Sequence, residues 1–117
     1  TRQSSHLQKY EIMTEQQNIN AIIAAKTPQE ATSLLDDTLT AHPDDAAGIL
    51  RSLTGLATQQ PSLMIEIGKR FWKLGLRGEA MSAYETAAKV DPDGPAGLLI
   101  EHSNSIMDFF NPDLLNP

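Results

Sequence analysis

Imidazoles, paired carboxylates and activated hydroxyls are where chemistry would begin, and in this chain they do not converge. His6, His42 and His102 are its three histidines, the side chains that bind metals most readily and exchange protons near neutrality. No His-x3-His or His-x-x-Glu spacing sets two ligands on one helix face. Glu101 and His102 are adjacent, so on a helix they point about 100° apart. Asp36-Asp37 and Asp44-Asp45 fall near helix ends, where carboxylates serve as solvated caps. The acidic stretch Asp91 to Gly94 is too short for a calcium loop. No serine sits in a Gly-x-Ser-x-Gly elbow, and no glycine-rich phosphate loop is present. The expectation is a protein that is not an enzyme and uses neither metal nor cofactor.

One grouping does point outward. Ile65, Lys69, Trp72 and Lys73 share a face of the helix expected from Pro61, turned away from a stripe of Met64, Ile67 and Phe71. Arg70 and Arg77 add charge beside it. Lys69 and Lys73 stand four apart and stack on one face, repelling by a few tenths of a kcal/mol. These six residues are the candidate partner-binding set, for a protein or peptide with an acidic segment. The competing reading is structural: Ile65 and Trp72 pack on helix three or six, and the lysines are solvated. The stretch from Pro61 to Val90 carries +2, while the whole chain carries −6. An acidic chain of this kind is not built for nucleic acid as its main partner.

Length and composition set the frame for that helix. A chain of 117 residues is one domain's worth and buries roughly two-thirds of its unfolded surface. The absence of cysteine rules out a disulfide framework and fits a reducing, cytoplasmic setting. Apolar runs are only a few residues long, too short to cross a membrane. Residues 1–13 are expected to be a flexible leader, 14–110 a helical domain and 111–117 a tail with two prolines.

Six helices are expected, with joints near Lys26, His42, Gln60, Leu76 and Asp93, and no segment alternates like a strand. Thr14 and Gln17 form a capping box for the first helix, whose face is Ile19, Ile22 and Ile23, with Lys26 in its last turn. Thr27, Pro28 and Glu30 open the second as cap, first position and closing residue of a box; its face is Ala31, Leu34, Leu35, Thr38 and Leu39. Pro43 stops it at His42. Asp44 or Asp45 caps the third, with Ala46, Ile49, Leu50, Leu53 and Leu56 inward. Gly48 and Gly55 weaken that helix by about 1 kcal/mol each unless close packing requires them. Met64, Ile67, Gly68, Phe71 and Leu74 form the stripe of the fourth, and the fifth runs from about Arg77 to Val90. The sixth passes through Leu99, Ser103, Ile106 and Met107 to a stop at Asn111-Pro112, with Phe109 and Phe110 finishing the core.

Moved by 49 positions, HPDDAAGIL at 42–50 lies on DPDGPAGLL at 91–99, and Glu30-Ala31 lies on Glu79-Ala80. The three-helix unit this implies is longer than a helical hairpin by roughly one helix of ~22 Å. Between Phe71 and Pro92, Leu74, Gly75, Ala80, Tyr84, Ala87 and Pro92 stand at the spacing of a helical-hairpin repeat. This resembles the tetratricopeptide repeat, whose period is about 34 residues. The resemblance implies an all-α fragment of a solenoid of antiparallel hairpins, with Ala80 buried against Gly68 or Phe71. It also implies a protein-binding groove lined by the first helix of each hairpin. The family's carboxylate clamp, a lysine and an asparagine four apart, is not kept, since Ile65 and Lys69 stand there. Phe110-Asn111-Pro112-Asp113 is similar to the ending of short bacterial proteins of this kind. Self-association through apolar solenoid ends, and a small secretion-type chaperone, are the other functions the resemblance allows.

Overall fold

The computed structural model describes residues 14–109, the side chains of 107–109 excepted. The expected leader, the tail, His6 and Phe110 lie outside the described residues. Within them the chain is all-α, with six helices and no strand: α1 Glu15–Ala24, α2 Pro28–Ala41, α3 Ala46–Leu56, α4 Pro61–Lys73, α5 Arg77–Val90 and α6 Ala96–Phe109. Two compact units form, one up to Leu53 and one from Thr54 onward. The boundary between the two units falls within α3.

In the first unit α1 packs on α2. The Thr14 box is formed in full: Gln17 N–H donates to Thr14 Oγ1 over 3.1 Å, and Thr14 N–H donates to Gln17 Oε1 over 2.9 Å. At Thr27 the box is skewed. Glu30 N–H donates to Thr27 Oγ1 over 3.1 Å, but the Glu30 carboxylate accepts from Lys26 N–H over 3.1 Å instead of from the cap residue. Lys26 therefore lies in the joint, beyond the α1 end at Ala24. Ile19 and Ile22 of α1 and Ala31, Leu35 and Thr38 of α2 are buried. Pro43–Asp45 form a turn of 3-10 helix ahead of α3, which leaves Asp45 as the residue just before its first position, Ala46. Glu15, at the start of α1, approaches this joint: its Oε1 is 3.9 Å from His42 Nδ1. Hydrogen bonding with Asp45 lifts the Glu15 carboxyl above its ordinary range; desolvation and the Asp45 charge add to this, and His42 opposes it. Ile49, Leu50 and Leu53 of α3 are buried as expected, whereas Leu56 is 52 % exposed. Helix packing does not hold Gly55, where a Cβ would meet nothing within 4 Å, while the nearest group to a Cβ on Gly48 is the Asp45 carboxylate of the same joint.

In the second unit α5 packs on α4 and on α6. The α4–α5 hairpin turns on a Schellman motif, in which Leu76 N–H donates to Phe71 O over 2.9 Å and Gly75 N–H to Trp72 O over 3.0 Å. Gly75 takes φ +80, a conformation glycine adopts without the Cβ penalty. Leu74, expected inward, is half exposed because it caps the helix at this turn. Beyond the turn α4 and α5 approach closely. A Cβ on Gly68 would lie 2.5 Å from Tyr84 Cε1 and 3.2 Å from the main-chain oxygen of Ala80. Ala80 is fully buried and its main-chain oxygen faces Gly68, one of the two neighbours, Gly68 or Phe71, that the hairpin resemblance implies for it. The joints after α2 and α5 share one geometry. His42 (φ −130, ψ 60) donates to Thr38 O over 3.0 Å, and Asp91 (φ −132, ψ 78) donates to Ala87 O over 2.9 Å. Asp45 N–H then donates to His42 O and Gly94 N–H to Asp91 O, both over 3.1 Å. Each matching position is displaced by 49 residues.

Candidate functional site

Pro61 begins α4 with its φ already helical and no N–H left unpaired. From there Ser62, Ile65, Glu66 and Lys69 recur at the i, i+3, i+4, i+7 spacing of one helix face. Pro95, Leu98, Leu99 and His102 repeat the same spacing at the start of α6. These two faces line one groove of about 470 Å³, within the roughly 300–1,000 Å³ range of clefts that hold ligands. Ile65 is only 6 % exposed and forms its floor, while Leu98 is 72 % exposed at its wall.

Glu66 organises the charges on the α4 side. Its Oε2 accepts from Lys69 Nζ over 3.2 Å and its Oε1 from Arg70 Nη1 over 3.0 Å. Arg70 Nη1 also donates to the main-chain oxygen of Glu66 over 2.8 Å. Partial burial pushes the Glu66 carboxyl up, but the hydrogen bonds from Arg70 and Lys69 and their charges outweigh it, so Glu66 titrates below its usual range. The repulsion expected along this helix is thereby relieved at Lys69, since Glu66 lies one turn before it. On α5 the Tyr84 phenol is pushed up, first by burial and then by the negative charge of Glu66.

The six candidate residues separate into four places. Ile65 and Lys69 line the groove. The Arg70 side chain is 12 % exposed and held against Glu66. Trp72 is half-buried with the Arg77 guanidinium 4.9 Å above its ring, a cation–π contact spanning the α4–α5 turn. Lys73 is exposed in the last turn of α4. Glu66, Leu98 and His102 line the groove but were not among the partner-binding candidates read from the sequence. For Leu98 a signal existed: it stands 49 positions after Ile49, an apolar position with the same neighbours.

Among the described residues no group of three histidines or carboxylates could hold a metal ion, and no helix is long and apolar enough to cross a membrane. Comparison with protein-family models, with curated proteins and with solved structures finds no match to this chain.

Proposed function

We propose that the chain is a protein-interaction module that seats an apolar segment of a partner between α4 and α6, in the manner of a tetratricopeptide-like helical hairpin. The observation that carries this reading is the groove itself, with an apolar floor at Ile65, an exposed leucine wall at Leu98, and a charged rim at Lys69 and Glu66. A groove of that composition offers desolvation to an apolar side chain and orientation to a charged one. The hairpin reading draws support from the Schellman turn at Gly75, the close approach of Gly68 to Tyr84 and Ala80, and the matching joints 49 residues apart. An acidic stretch following the anchor would run toward Lys73 and Arg77, where cations continue along the helix end.

Selection from a displayed library of random peptides tests this directly. Wild type should enrich peptides with an apolar anchor beside acidic residues. Leu98→Glu should abolish the enrichment, and Lys69→Glu should remove the acidic preference while keeping the apolar one. Affinity of the enriched peptides should fall as salt screens the charges over a Debye length of ~8 Å at physiological strength. Enrichment unaffected by Leu98→Glu would place any binding elsewhere and end this reading.

A further inference from the structure

We infer that the occupant of the α4–α6 groove is the same face of a second copy of this chain, two molecules associating about a twofold axis; this rests on the groove being a docking site. The argument comes from a comparison inside the chain. Leu98, Leu99 and His102 of α6 stand 49 positions after Ile49, Leu50 and Leu53 of α3. Those three α3 residues are sealed from water by the chain itself, each 1 % exposed or less. At the corresponding α6 positions Leu98 is 72 % exposed, Leu99 is half-buried and His102 is exposed. One chain thus carries a similar helix face twice, once covered and once open. Leu98 is also the most exposed large apolar side chain among the described residues. Apolar surface left open in this way drives association.

A second copy suits the open face because the face is self-complementary. A twofold interface sets the same residues on both sides, so each must tolerate or complement itself. Leu98 and Leu99 do so as apolar groups. The rim carries both signs within one turn, Glu66 and Lys69, so Lys69 of one copy can meet Glu66 of its partner without like charges facing. Each chain is nevertheless acidic overall, at −6. Two copies repel at long range, and added salt relieves that repulsion. Self-association therefore strengthens with salt, the opposite of capture of an acidic peptide.

The test is sedimentation velocity of the full chain from about 5 to about 500 µM, the range in which small interfaces associate. The expected result is a weight-average mass rising from one chain toward two, at lower concentration in ~500 mM than in ~50 mM salt. Leu98→Glu should hold the mass at one chain throughout. Leu74→Glu, at a half-exposed leucine outside the groove, should behave as wild type, and circular dichroism should show both variants equally helical. A wild-type monomer across the range overturns the inference, as does equal weakening by both variants or growth beyond two chains. If the chain stays monomeric while displayed peptides still require Leu98, the groove remains a docking site and the second copy is the wrong occupant. If mass doubles independently of Leu98, the twofold contact lies elsewhere and the inference fails.

Discussion

Replacing Gly68 with alanine sets two effects of known size against each other. Gly68 lies inside α4, where alanine is favoured over glycine by about 1 kcal/mol. The added Cβ would lie 2.5 and 2.8 Å from two carbons of the Tyr84 ring and 3.2 Å from Ala80 O, against the roughly 3.5–4.0 Å at which carbon atoms attract. The ring would have to retreat by about an ångström, and at 3 % exposure it has no open space to enter. Overpacking of that order costs about 1–3 kcal/mol, so the net change is roughly 0–2 kcal/mol destabilising after the helix gain. Gly78, in the first turn of α5 with nothing within 4 Å of a Cβ, isolates the favourable effect; Gly78→Ala should stabilise by up to ~1 kcal/mol. Urea unfolding followed by circular dichroism reads both. A double-mutant cycle with Tyr84→Leu, whose smaller side chain leaves room for the methyl, should return most of the Gly68→Ala cost as a coupling of about 1–3 kcal/mol. If Gly68→Ala stabilises as much as Gly78→Ala, the close approach of α4 and α5 does not exist as described.

Gly75→Ala should destabilise by about 1–2 kcal/mol, the cost of a Cβ at positive φ, again by urea unfolding; no loss would mean the turn is not the Schellman motif. Thr27→Ala should cost about 1 kcal/mol through loss of the α2 cap, whereas Thr27→Asn should restore it. Glu66 has a depressed carboxyl, so its contribution is present above its unfolded value and lost as pH falls through the folded one. Glu66→Gln should therefore flatten the acid limb of stability below the ordinary carboxylate range, and an unchanged limb would refute the pairing with Lys69 and Arg70. Glu15 is raised instead. Its contribution is present below its unfolded value and lost as pH rises through the folded one, so Glu15→Gln should remove a decline just above the ordinary carboxylate range.

What the sequence determined about this protein is what lies within a turn or two of chain. Thr14, Thr27 and Pro61 mark helix starts because an orphan N–H is satisfied, or absent, within the first turn. Gly75 marks a helix end because only the local backbone asks for positive φ. Apolar spacing likewise placed Ile49, Leu50, Ile67 and Phe71 on inward faces, while the hairpin resemblance implied Ala80 against Gly68 or Phe71. Tertiary structure decided the rest. Periodicity sets Ile65 on a different face from Met64, but whether that face meets solvent depends on α6, about thirty residues further along. Leu98 carries the same apolar pattern as Ile49, yet one is exposed and the other sealed, because burial depends on which neighbour the chain folds against a face. The same holds for charge. Lys69 and Lys73 read as a basic stripe, while the side-chain geometry commits Lys69 and Arg70 to Glu66 and stacks Arg77 over Trp72. Long side chains have several rotamers with a partner in reach, and only the packed structure selects among them.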